Sequence, residues 1–170
     1  LAPMIDFKNK LVPLIETSRA IETVTQIAAF KDVIGLFFGA ADASASLGCK
    51  LAWEPLLYAR HRVVLAASMF NLFTIDAPYF YIDKMAGLKE EAEAVKNLGF
   101  TGKAAIHPDQ IDYINEAFSP SAEEKAEAKK VLEEYQKSGG GAIKVDGQMI
   151  DEPIAEAMRL KITLGEDEKK

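Results

Sequence analysis

What most limits how this chain can fold is a unit that recurs four times in its first 118 residues: an apolar run, a polar tip, then apolar residues at helical spacing. Residues 11–15 form the first run, which ends at Glu16-Thr17 and leads into Ala20, Ile21, Val24, Ile27 and Ala28. Residues 33–38 form the second, ending at Gly39-Ala40-Ala41-Asp42 before a polar loop and a helical run from about Leu56 to Leu72. Residues 74–82 read as a third strand and 87–98 as its helix, with Gly99 as the stop signal. Residues 102–106 supply a fourth strand, ended by His107-Pro108 and followed by a helix over 109–118. Apolar strands alternating with helices predict an α/β fold with parallel pairing under a helical cover, as in a doubly wound sheet or a TIM barrel. A closed barrel takes eight such units, so this chain amounts to half a barrel or a small open sheet.

The pattern changes after Ser119. Ser121-Ala122-Glu123-Glu124 makes a capping box that opens a charged helix to about Ser138. Beyond Gly139-Gly140-Gly141, alternation over 142–150 around Asp146-Gly147 predicts a hairpin, and Pro153 sits near the first turn of a last helix running toward Leu164. The expected organisation is a strand–helix body over 1–120 and an extension over 121–170, with the three glycines as a flexible joint.

Composition removes several function classes. Twenty Lys and Arg against 26 Asp and Glu give a net charge of -6, with much of the acid on the late helices, which offers nucleic acid no basic footprint. The one cysteine, Cys49, permits no internal disulfide and no cysteine-based metal cluster, which fits a reducing, intracellular compartment. No apolar run approaches the roughly 20 residues of a membrane span, so no membrane partner is expected. The chain begins with Leu1, as a processed or truncated piece of a longer one would.

In parallel α/β folds ligands collect at the carboxyl ends of strands, and Glu16, Asp42, Asp76 and His107 stand at such ends. Glu16 and Asp42 close consecutive strands, about one strand–helix unit apart, which would set two carboxylates side by side on one rim. That pair suits Mg²⁺, which takes oxygen ligands and usually only one or two carboxylates. Each carboxylate reads equally as a helix cap or a solvated loop residue. Gly39 would let a bound ligand approach the backbone closely. His107 reads first as a hydrogen-bonded structural residue and second as a general base. Asp151, just before Glu152-Pro153, reads as the N-cap of the last helix. The chain holds no GxGxxG after a strand, no Walker sequence and no serine in a nucleophile elbow.

Six segments occur in one order: Leu14-Ile15-Glu16-Thr17, Gly39-Ala40-Ala41-Asp42, Leu57-Tyr58-Ala59-Arg60, Gly99-Phe100-Thr101-Gly102-Lys103, Ile106-His107-Pro108-Asp109-Gln110-Ile111 and Gly147-Gln148-Met149-Ile150-Asp151. Over nearly the whole chain they resemble the C-terminal half of the citrate lyase beta subunit-like family, which lies in the HpcH/HpaI aldolase superfamily with the malyl-CoA and citramalyl-CoA lyases. The resemblance implies a TIM barrel with a C-terminal extension, assembled as a homotrimer; this chain matches the last four strand–helix units and the extension. It implies Glu16 and Asp42 as Mg²⁺ ligands, the backbone at Gly39, Ala40 and Ala41 facing a keto acid, and Asp151 as the aspartate that the extension delivers to a neighbouring subunit's active site. The third residue of the Gly39 motif is often acidic in the family and is Ala41 here, a departure that leaves the metal pair intact.

The implied activity is reversible carbon–carbon cleavage of a 3-hydroxyacyl-CoA, such as citryl-, malyl- or citramalyl-CoA, to an acyl-CoA and a small acid. Coenzyme A would be a carried substrate, and the location cytoplasmic, or the mitochondrial matrix in a eukaryote. The family's preceding strands, with an arginine for the substrate carboxylate, are not in these 170 residues. Since a barrel needs about 250 residues, the chain is expected to be the C-terminal part of one about twice as long, or to take its first half from another chain, and to be inactive alone. Two alternatives stand beside this: a metal-dependent aldolase of free hydroxy-keto acids, and a non-catalytic assembly or regulatory module.

Overall fold

Four strands, β1 (Leu14–Ile15), β2 (Gly35–Phe38), β3 (Phe73–Asp76) and β4 (Gly102–Lys103), lie side by side in chain order as a parallel sheet. The computed structural model describes residues 10–139 and 141–164, and the chain divides into two units, Leu1–Phe118 and Ser119–Lys170. In the first unit, α1 (Ser18–Glu22), α2 (Val24–Ala28), α3 (Ala40–Leu47), α4 (Trp53–Ser68), α5 (Met85–Leu98) and α6 (Ile111–Phe118) connect and follow the strands. Helix α4 packs on β2 and β3 through Leu56, Ala59, Val63, Ala66 and Ala67, the i, i+3, i+4, i+7 stripe of a helix with one buried side. It meets Ile15, Leu36 and Phe38, which are fully buried on the helix-facing side of the sheet.

The other side of the sheet has a different character. The register aligns Leu14, Phe37, Ile75 and Gly102, and pairs Gly35 with Phe73. Here Leu14 and Phe73 are exposed, and Phe37 and Ile75 half-buried. A β-carbon at position 35 would overlap the Phe73 ring, so any other residue there forces that ring to shift.

The elements depart from the sequence expectations in physically instructive ways. The single helix expected over 20–28 is broken at Thr23, whose hydroxyl donates to the Arg19 carbonyl and competes with the helical ladder. The polar loop expected after Asp42 is helix α3, closed by Gly48 in the left-handed region. The third strand ends at Asp76 and does not run to Ile82, since Pro78 brings no N–H and the segment beyond has no strand to pair with. The fourth strand is likewise only two residues long, and the helix expected from Asp109 opens as a 3-10 turn over Pro108–Gln110.

In the second unit, α7 (Ala122–Lys137) starts with a complete capping box: Ser121 Oγ accepts from Glu124 N–H at 3.0 Å, and Glu124 Oε2 accepts from Ser121 N–H at 2.9 Å. Strands β5 (Ile143–Val145) and β6 (Gln148–Ile150) form the hairpin, with Asp146 and Gly147 at φ 48° and 91°, as a two-residue turn between twisted strands requires. Helix α8 (Glu152–Leu164) completes a separate small core of Val131, Leu132, Tyr135, Val145, Ile150 and Ala155. The expected glycine joint falls inside this unit, between α7 and β5, and Gly140 lies outside the described residues. No helix among the described residues is long and apolar enough to cross a membrane.

Candidate functional site

The alternation of side chains along β1 puts Glu16, one residue past the strand, on the same side of the sheet as Leu14. Gly39 follows β2, donates its N–H to the Ile15 carbonyl at 3.0 Å and caps α3. The two meet: a β-carbon at position 39 would lie 2.7 Å from Glu16 Cβ, 3.0 Å from Glu16 Oε2 and 3.3 Å from Leu14 Cδ1. Asp42 stands in the first turn of α3, exposed, where the helix N-terminus favours an anionic side chain. Of the positions expected to face a keto acid, Gly39 is half-buried, Ala40 buried and Ala41 exposed.

Neither Glu16 nor Asp42 has a side-chain hydrogen bond or ion pair among the described residues. Nor, among those residues, do three or more His, Cys, Asp or Glu side chains gather as a metal cluster. Asp151 lies in the second unit, partly buried, with its Oδ1 accepting from Ile154 N–H at 3.3 Å, so locally it acts as the N-cap of α8.

Asp76, at the end of β3, points to the helix side. It is fully buried and receives Arg60 Nε at 2.8 Å and Lys103 Nζ at 2.9 Å. Lys103 Nζ also donates to Glu91 Oε1 and to the Ala77 carbonyl, both at 2.7 Å, which uses all three ammonium protons. The Arg60 guanidinium lies over the rings of Trp53, at 4.7 Å, and Phe38, at 5.3 Å, so α4 is anchored to strand β3 through Asp76. Sequence reasoning did not single out Lys103 or Glu91. The available signal was a charge at an inward position of an otherwise apolar strand, 27 residues after Asp76, about one unit away.

A cavity of about 80 Å³ opens beside this network, lined by Ala40, Trp53, Arg60, Tyr79, Tyr81 and Glu91 among others. Burial, with Glu91 nearby, holds the Tyr79 phenol above the usual tyrosine range. His107 accepts from Asp109 N–H at its Nδ1 and caps the short 3-10 turn.

Residues 7–108 match the HpcH/HpaI aldolase/citrate lyase family. The chain belongs to this family. Within it, the chain is 35% identical over 170 residues to the mitochondrial citramalyl-CoA lyase of Homo sapiens, covering 91% of this chain and 49% of the relative. To the citrate lyase subunit beta of Haemophilus influenzae it is 33% identical over 158 residues, covering 89% and 54%. Among solved structures, the fold is similar to that of CitE from Mycobacterium tuberculosis in complex with magnesium, acetoacetate and coenzyme A: TM-score 0.84, 31% identity, 94% of this chain and 62% of that one. RipC from Yersinia pestis aligns at TM-score 0.66 and 44% identity, over 68% and 54%. The chain thus spans about half the length of the curated relatives it matches.

Proposed function

We propose that this chain supplies the second half of a Mg²⁺-dependent carbon–carbon lyase acting on a 3-hydroxyacyl-CoA. The observation that carries the proposal is the Glu16 carboxylate against Gly39 on the rim where strands end, with Asp42 in the first turn of the helix that Gly39 opens. The residues fit the ion: two carboxylates without partners among the described residues are hard oxygen donors, and the missing side chain at 39 leaves room beside one of them. Glu16 and Asp42 would hold Mg²⁺, which when bound supplies Lewis-acid polarisation of an oxygen on the small-acid part of the substrate. The magnesium and coenzyme A named for the Mycobacterium tuberculosis structure, and the lyase names of the relatives, support this chemistry for the complete protein.

The chain's own groups divide the remaining work. The backbone at Gly39, Ala40 and Ala41 faces the keto acid and orients it. In condensation, Asp151 takes a proton from the carbon next to the thioester, the electron pair left there forms the new bond to the keto carbon, and the carbonyl pair moves to the keto oxygen, which takes a proton from solvent. In cleavage, the hydroxyl gives its proton to solvent, its oxygen's electron pair forms the keto carbonyl as the carbon–carbon bond breaks, and the pair from that bond, left on the carbon next to the thioester, takes a proton from Asp151. Residues 121–170 serve as the extension that brings Asp151 to a neighbouring subunit in a homotrimer. Residues 1–120 serve as the last four units of a TIM barrel whose first four come from preceding sequence or another chain. A mitochondrial-matrix or cytoplasmic location belongs to the same proposal; the human relative is named mitochondrial.

Turnover of citryl-, malyl- and citramalyl-CoA by the complete protein, with Glu16→Ala, Asp42→Ala and Asp151→Ala beside it, tests the assignment. Thioester cleavage that each change abolishes is expected. Cleavage of free hydroxy-keto acids alone would indicate the aldolase, and absence of both Mg²⁺ binding and turnover would indicate the assembly module.

A further inference from the structure

The segment Ile106-His107-Pro108-Asp109-Gln110-Ile111 takes no part in the chemistry above, yet Gln110 within it is a polar side chain with no exposed surface. Both ends of its carboxamide are used: Oε1 accepts from Ile106 N–H at 2.9 Å, and Nε2 donates to the Tyr79 carbonyl at 2.9 Å. Those backbone groups belong to the two loops that leave the carboxyl ends of β4 and β3. Each is satisfied by a side chain that water does not reach, so the pairing holds one geometry. The loop after β3 has a second tether nearby, the Ala77 carbonyl on Lys103. Two alternate carbonyls of one loop are therefore held by side chains of the next strand–loop unit.

The tethered loop presents Phe80, Tyr81 and Ile82 to solvent, and residues 78–81 wall the cavity that Ala40 also lines. Ala40 is the first residue of α3, the helix that carries Asp42. A displacement of this loop would reshape the rim beside the proposed keto-acid backbone while leaving Glu16 and Asp42 untouched.

We propose that Gln110 is a positioning residue: it locks the β3–α5 loop to the loop after β4, and so sets how the substrate beyond its small-acid end is held. This rests on the lyase activity proposed above. Glutamate at 110 has the same shape, but once ionised it offers no donor and sets an oxygen against the Tyr79 carbonyl; protonated, it has a donor again.

In the complete protein, Gln110→Glu at neutral pH is expected to raise KM for the thioester about tenfold while kcat changes less than about twofold. The one tryptophan, Trp53, borders the same cavity, so its emission at neutral pH should differ between the variant and wild type. Unchanged KM and emission, or equal losses in kcat and Mg²⁺ affinity, would overturn the proposal. If the variant does not fold, amide exchange in wild type decides: Ile106 N–H is expected to be protected at least about 100-fold, and exchange as fast as in an unstructured peptide overturns the clamp. Were the wild type to cleave no thioester, the lyase activity would be refuted, while Trp53 emission and Ile106 exchange would still decide whether Gln110 holds the loop.

Discussion

Glu16 packs against the bare backbone of Gly39: a β-carbon added at 39 would stand 2.7 Å from Glu16 Cβ, closer than two side chains can approach. The glycine is therefore a steric condition for where the Glu16 carboxylate rests.

Gly39→Ala tests that condition. The new methyl must push Glu16 aside, and overpacking of this kind costs about 1–3 kcal/mol. The variant is expected to lose stability on that scale in urea titration. It should also lose Mg²⁺ affinity in proportion to the displacement of Glu16. Wild-type affinity in a stably folded variant would show that Glu16 is free to move without consequence.

Asp76 holds two buried cations, so its removal leaves Arg60 without its carboxylate and Lys103 with Glu91 as its remaining one. Asp76→Ala is expected to destabilise the fold by about 3–5 kcal/mol, the scale of a broken buried pair. The exposed pair of Lys89 and Glu116, at 3.0 Å, makes the control: Lys89→Ala should cost less than about 1 kcal/mol. Equal effects in denaturant titration would contradict the burial difference.

In the second unit, hydrogen bonds from Arg159 first and Tyr135 second hold the Glu152 carboxyl below its ordinary value of 4.5. A lowered value means that the folded chain resists protonation. The stabilisation is therefore complete above 4.5 and is lost as pH falls through the lowered value. The melting temperature of wild type should fall in this acid range more than that of Glu152→Gln. Identical acid profiles would remove Glu152 from the account.

Ser121→Ala removes one half of the capping box and should cost about 1 kcal/mol, read by circular dichroism during urea unfolding. A neutral substitution would show that α7 starts without help from its cap.

The periodicity of the chain exposed the parallel α/β order because each apolar run is followed by a helical stripe, and that pattern is local. The break at Thr23 and the helix over Ala40–Leu47 were hidden: one depends on a side-chain bond to Arg19, the other on alanines and serines whose apolar signal is weak. Asp76 and Glu16 look alike in sequence, each a carboxylate closing a strand. Only the side of the sheet separates them, Asp76 buried under α4 and Glu16 beside Gly39 on the other side. Gln110 stood within one of the six matching segments, but its role was hidden, since its partners are backbone groups 4 and 31 residues away.

Calorimetric titration of the complete protein with Mg²⁺ in the presence of pyruvate or oxaloacetate, run on wild type, Glu16→Gln and Asp42→Asn, addresses the metal pair itself. Saturable binding in wild type, weakened at least about tenfold by each substitution, is the predicted result. Binding of Mg²⁺ that neither substitution alters would place the ion elsewhere and contradict the proposed site.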